Sequence, residues 1–346
     1  MLRAAVLSLA LALVATSVTG CGLFGGSSTL GDALEVVPAS ADRVTFVDRV
    51  AIAERFEVDD VEPGASESEI DAYLEASREF PAGTAFSRYL NVMDDAPFTY
   101  FDVEWEVTMG EGDQGFGRVW KMRDDLDLDE VGDELVGLGF EEREAADDFR
   151  SLSLDVSTID PATEGYLITV GEVTIVPDEH LMIAGPAAAD VLEVVKDDAD
   201  SAVDADRFDD LVDGSDDIEV ADLSRGDAVC SAGDRPLTPE QFEASGLEEL
   251  GTPEERGFFV HGEDGETRAV LSFDDEQAAE DDADARSDFL DDGLSPVSGV
   301  PYSEFGDWEI EADGELVRIE IDYDDPLTVG PVISRGDYPS VCVPSD

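Results

Sequence analysis

In "FDVEWEV", Phe101, Val103, Trp105 and Val107 alternate with Asp102, Glu104 and Glu106. A period of two with apolar residues on one side only describes a half-buried strand, which an antiparallel sheet accommodates with one face toward water. The segment "GEGDQG" turns the chain and "FGRVWKM" returns it, so the unit is a hairpin. The same signature recurs late in the chain. "RGFFVHG" and "TRAVLSF" flank Asp264–Gly265, and "WEIEA" and "ELVRIEIDY" flank Asp313–Gly314, with Val317, Ile319, Ile321 and Tyr323 on one side. Asp-Gly between alternating segments is a strong hairpin signal.

Helical periods separate these hairpins. Ser66 and Glu69 form a capping box that opens "SESEIDAYLEASREF". Asp127 and Glu130 form another, followed by a stripe of Leu128, Val131, Leu135 and Leu138 and an exit at Gly139. "GPAAADVLEVV" places Pro186 at a first turn. In "DDEQAAEDDADARSDFLDDG", Ala279, Ala283, Arg286 and Leu290 share a face that Phe289 widens. Further strands are predicted in "RVTFVDRV", "FEERE", "FRSLSLDV", "YLITVGEVTIV" and "HLMIAG". Ten aspartates lie between Asp197 and Asp217, where Phe208, Leu211 and Val212 predict one short helix within a solvated loop.

The predicted class is therefore α+β: antiparallel hairpin sheets with helices packed on one face. Hairpin, helix, hairpin describes residues 99–156 and again the last third. This reads either as two pseudo-repeated halves or as the common order of α+β chains. The organisation predicted is 1–20 as a leader, 21–40 as a flexible tether, and two α+β domains at 41–225 and 226–346.

Charge restricts the partners. The chain has 86 acidic and 20 basic residues among 346, a net charge of −66. No basic stripe exists along it, so nucleic acid and anionic headgroups are repelled, and cations gather non-specifically. A hydrophobic content of 42% with 17 Phe supplies a real core. Self-repulsion of this size predicts adaptation to a salty exterior, since screening lengths fall from about 30 Å at 0.01 M to about 3 Å at 1 M salt. The acidic helix carries Asp291 and Asp292 at its end, against the helix dipole, which shows that composition overrides local electrostatics.

At the amino end, Arg3 precedes an uncharged apolar run from Ala4 to Ser17, too short to span a bilayer comfortably. It ends in Val18–Thr19–Gly20–Cys21, followed by Gly22, Gly25, Gly26, Ser27 and Ser28. This stretch resembles the signal of bacterial lipoproteins, in which a branched residue and two small ones precede an obligatory cysteine. More loosely, the chain is similar to acidic envelope lipoproteins of high-GC Gram-positive bacteria, which supply no activity to carry over. The resemblance implies that Cys21 receives a diacylglycerol thioether and becomes the new amino terminus. Two or three acyl chains, palmitate among them, anchor stably because each buried methylene contributes roughly 0.8 kcal/mol. Loss of Arg3 with the leader takes 20 basic residues to 19 against 86 acidic, a net charge of −67. With Cys21 lipidated in an oxidising compartment, Cys230 and Cys342 remain, either as a disulfide, which is the reading adopted, or as two free thiols.

Catalytic signals are weak. His180 and His261 have no second histidine or cysteine at ligand spacing, and no G-x-S-x-G, S-x-x-K or H-E-x-x-H pattern occurs. Asp125, Asp127 and Asp129 alternate, but Glu130 and Val136 stand where a calcium loop needs glycine and glutamate. With 86 acidic residues, carboxylate pairs carry no information. Trp105, Trp120 and Trp308 sit on apolar strand faces and read as core. The sequence thus predicts no catalytic residue, cofactor or assigned metal ligand. It predicts a lipid-anchored, non-enzymatic binding or structural module at the outer face of the cytoplasmic membrane. The alternatives are a transporter's solute-binding lipoprotein, which needs parallel α/β lobes, and an extracytoplasmic hydrolase.

Overall fold

The computed structural model describes residues 28–93, 96–110, 116–146, 148–160, 164–213, 217–230, 247–262, 266–295, 298–323, 328, 329, 332 and 339–342. In chain order the strands are β1 (Arg43–Asp48), β2 (Val103–Gly110), β3 (Phe116–Met122), β4 (Glu141–Ala145), β5 (Arg150–Ser153) and β6 (Glu172–Val176). They continue with β7 (Leu181–Ala184), β8 (Ile218–Arg225), β9 (Glu255–His261), β10 (Thr267–Ser272), β11 (Gly306–Asp313) and β12 (Leu316–Tyr323). The helices are α1 (Thr29–Leu34), α2 (Arg49–Arg55), α3 (Glu67–Ala76), α4 (Leu128–Gly137), α5 (Gly165–Thr169), α6 (Ala188–Val195), α7 (Asp209–Val212) and α8 (Glu276–Asp292).

All these strands join one antiparallel sheet in the order β4-β5-β6-β7-β3-β2-β1-β8-β9-β10-β12-β11. The chain is α+β, as its alternating segments imply. Hairpin, helix, hairpin occurs twice, as β2–β3, α4, β4–β5 and as β9–β10, α8, β11–β12. The sheet treats the two differently. β12 pairs directly with β10, whereas the β6–β7 hairpin stands between β3 and β5. The repeat of local order is thus not a repeat of topology. At the centre β8 pairs with both β1 and β9, so the sheet crosses residue 225 unbroken.

Helices cover both faces, which corrects the expectation of one. Phe46, Val107, Val119, Ile183, Ala221 and Phe259 lie on one side under α1, α6 and α7. On the other side Trp120, Met122, Ile175 and Met182 form a core with α3, α4 and α5. Val47, Val220, Phe258, Ala269, Leu271 and Ile319 form a second core there with α2 and α8. The reason lies in the middle strands: Val44 and Phe46 oppose Val47 on β1, and Ala221 and Leu223 oppose Val220 on β8, all buried. A strand apolar on both sides needs cover on both.

Several local expectations shift with it. Residues 29–37 are not tether: Ser28 caps α1, and Leu30, Ala33, Leu34 and Val37 enter the core. Arg49 begins a helix rather than ending β1. Phe101 and Asp102 lie in a 3-10 turn, and β2 starts at Val103 with a bulge before Trp105. Asp102 and Glu106 are buried rather than solvated, because α-helical segments cover that face. The first half of "YLITVGEVTIV" is α5. The Ser66–Glu69 capping box and the positive φ of Gly139 stand as read; of the Asp127–Glu130 box only the Asp127 half is found, accepting from the Asp129 and Glu130 N–H groups, and Leu138 is 47% exposed beyond the last helical turn. Pro186 lies just ahead of α6. The turns at 111–115 and 263–265 lie outside the described residues.

Candidate functional site

On the face that carries two cores, a row of polar side chains crosses five strands. It starts at Glu106 on β2, which accepts from the indole Nε1 of Trp120 at 2.5 Å and from the backbone N–H of Ala85 at 2.8 Å. Arg118 on β3 lies 3.2 Å from the Glu106 carboxylate and donates to Thr108 Oγ1 at 3.2 Å. Thr108 faces Thr45 on β1, whose hydroxyl donates to Asp222 Oδ2 on β8 at 3.4 Å. Arg256 on β9 reaches Asp222 Oδ1 at 3.4 Å. One residue pair further along, Ser224 is paired with Arg43 and Arg256. Its hydroxyl is buried with no hydrogen-bond partner among the described residues.

Burial holds the Glu106 carboxyl above the usual range, while Arg118, the Ala85 N–H and the Trp120 indole pull it back. That is the signature of a charge taken from water and offset by fixed donors. A second nest surrounds the start of α2. Asp48 caps the helix through the Ala51 N–H at 2.9 Å, and burial raises its carboxyl. Arg49 donates to the Val103 carbonyl and stands 5.9 Å from the Tyr100 ring centre. The Tyr73 hydroxyl donates to that of Tyr100 at 2.7 Å, and burial raises both phenols. Arg55 closes on Glu219 with two bonds of 2.6 Å, and burial raises Glu219 against that pull.

Apart from the Ser224 hydroxyl, the groups named here are held in donor–acceptor sets. Such sets specify register and strand order in a core, because a half-satisfied network costs more than an apolar one. The exposed side is at Arg118, with 34% of its side chain accessible, against 17% for Asp222 and 11% for Arg256.

A third polar cluster ties the carboxyl end. Arg286 on α8 donates to Asp282 through Nε at 2.9 Å and Nη2 at 3.0 Å, and through Nη1 to the carbonyls of Pro339 and Val341 at 2.9 Å each. Asp282 also accepts from the Gly251 N–H at 2.8 Å. Next to it Cys230 and Cys342 stand at disulfide distance, 2.08 Å between sulfurs and 5.0 Å between Cα atoms.

The other residues singled out from the sequence are scattered. Cys21 lies outside the described residues. His180 occupies a left-handed turn before β7, with Nδ1 buried and lacking a hydrogen-bond partner among the described residues. His261 ends β9, so β3, β2, β1 and β8 stand between the two histidines. Asp125 pairs with Arg123, and Asp127 caps α4. No group of three or more His, Cys, Asp or Glu able to hold a metal occurs among the described residues. Trp105 and Trp120 are buried in different cores, and Trp308 packs edge-on against Tyr302 and Tyr323. Glu106, Glu219, Asp282 and Arg286 carry no sequence signal that separates them from their charged neighbours, except Arg286, placed on an apolar helix face.

No helix among the described residues is long and apolar enough to cross a membrane. No family model matches this chain, and no curated protein sequence matches it. Among solved structures, TP0453 in crystal form III is similar at TM-score 0.42 and 12% identity, over 87% of this chain and 97% of that one. Crystal form IV of TP0453 gives 0.40 and 13% over 87% and 96%, and crystal form I gives 0.38 and 11% over 88% and 97%. Likeness of this size transfers neither fold nor function, and the architecture above stands on this chain's own strand pairing.

Proposed function

We propose that this chain is an extracytoplasmic lipoprotein, tethered through acyl chains on Cys21 at the outer face of the cytoplasmic membrane. Its folded part serves as a non-enzymatic binding or structural module. The observation that carries the reading is the buried Cys230–Cys342 pair at bonding distance. The remaining cysteine, Cys21, sits at the break between an apolar leader and a Gly/Ser segment. Disulfides persist in oxidising compartments, and a lipobox cysteine has its place on the same side of the membrane.

The acidic surface supports a salt-rich surrounding. On the β11–β12 hairpin Asp307 faces Asp322 and Glu309 faces Glu320 directly across the pair. Like charges in that position destabilise a sheet unless ions screen them. The all-antiparallel sheet favours the module over the solute-receptor alternative, which anticipates parallel α/β lobes. Labelling cells with an alkyne fatty acid tests the anchor: the wild type takes the label and Cys21→Ser does not. An unlabelled wild type, or intact precursor among cytosolic proteins, refutes the reading.

A further inference from the structure

α8 carries eight acidic residues among its 17, yet Asp282 and Arg286, one turn apart on it, expose none of their side-chain surface. One edge of the Arg286 guanidinium, Nε with Nη2, meets the carboxylate, and the remaining nitrogen donates to the carbonyls on either side of Ser340, itself fully buried. Only a planar fork with several fixed donors serves a carboxylate and two carbonyls at once; an ammonium group does not. The carbonyl of Val341 belongs to the residue before Cys342, and Cys342 packs with Val229 and Cys230 in a small apolar cluster. The tail is therefore held twice within four residues, once by a buried cation and once by sulfur.

We propose that Asp282 and Arg286 form a positioning latch that presents Cys342 to Cys230, raising the effective concentration of the two thiols. Closing a loop of 112 residues carries a large entropic cost for an unassisted pair. A latch that has already fixed the tail removes most of that cost before sulfur chemistry begins. By reciprocity the bond strengthens the latch by the same factor. With glutathione disulfide as oxidant, the Cys230–Cys342 bond forms as the oxidant's sulfur–sulfur bond breaks. Two glutathione thiols leave, carrying the two protons of the protein thiols.

The test equilibrates the full chain in graded mixtures of reduced and oxidised glutathione, traps free thiols by alkylation, and reads Cys230 and Cys342 by peptide mass. Arg286→Met is expected to lower the effective concentration at least tenfold. Arg55→Met breaks a buried ion pair on α2, away from the latch, and is expected to change it less than threefold. A fall of less than threefold in Arg286→Met, or an equal fall in Arg55→Met, overturns the proposal. Should Arg286→Met fail to fold, Arg286→Lys decides: it keeps the charge beside Asp282 but loses the fork, and a value within threefold of wild type overturns the latch.

Discussion

Replacing Arg55 by methionine isolates one buried charge. Glu219 has no exposed side-chain surface, and both its oxygens accept from Arg55 at 2.6 Å. The Arg55 guanidinium lies 4.5 Å from the Phe56 ring centre with 23% of the side chain accessible. Methionine keeps the stem's volume against that ring, so the change is chiefly the loss of the cation. Stripping one partner from a buried pair costs about 3–5 kcal/mol, a large share of the roughly 5–15 kcal/mol that holds a domain folded. The variant has one escape, which is to protonate Glu219. Burial already raises that carboxyl, Asp48 pushes the same way, and Arg55 opposes both. Without Arg55 it rises further. The folded state then binds the proton more readily than the unfolded one, so stability falls as pH rises. The penalty is absent below the unfolded value near 4.3 and complete above the folded value. Urea unfolding in molar salt, comparing variant with wild type, reads the deficit at about pH 5 and about pH 7.5, and the smaller deficit belongs at the lower pH. Adding Glu219→Gln recovers part of the loss at the higher pH. A deficit below about 1 kcal/mol at pH 7.5, or one that ignores both pH and Glu219→Gln, refutes the reasoning.

Glu309→Lys, on the edge strand, turns the Glu309–Glu320 facing pair into an opposite-charge pair and leaves Arg268 opposite Glu320 on the other side. A gain of about 0.2–1 kcal/mol is expected in dilute buffer and should vanish in molar salt; a thermal melt showing a loss in dilute buffer contradicts it. Leu34→Ala should cost about 2–5 kcal/mol by denaturant unfolding, since Leu34 is 1% exposed; an unchanged midpoint would return residues 29–37 to a tether.

How legible the fold was depended on how local its causes are. Ser66 with Glu69, Asp127 and Gly139 act within a few residues, so their helix ends could be read directly and are found there. The hairpins β2–β3, β9–β10 and β11–β12 followed from alternation for the same reason. β8 escaped prediction although it lies at the middle of the sheet. It follows an aspartate run, and its buried Glu219, Asp222 and Ser224 interrupt the apolar pattern. Those polar residues lie there because partners arrive from far along the chain: Arg55 for Glu219, and Thr45 and Arg256 for Asp222.

The candidate polar row shows the same division. Alternation places Glu106 on the opposite side of β2 from Trp105 and Val107, and the natural expectation for that side is water. Helices closing over the second face turned it into interior, and Trp120 and Arg118 into its partners. The amino-acid order alone determined the α+β class, the hairpins, the helix caps at Ser66 and Asp127 and the acidic surface, because these arise from nearest neighbours and from composition. Strand order, the two-sided cover, the unequal insertion of β6–β7 and the grip of Arg286 on the tail were decided only by tertiary structure. Each depends on which distant segments meet, and a buried charge is tolerable only where that meeting supplies its counterpart.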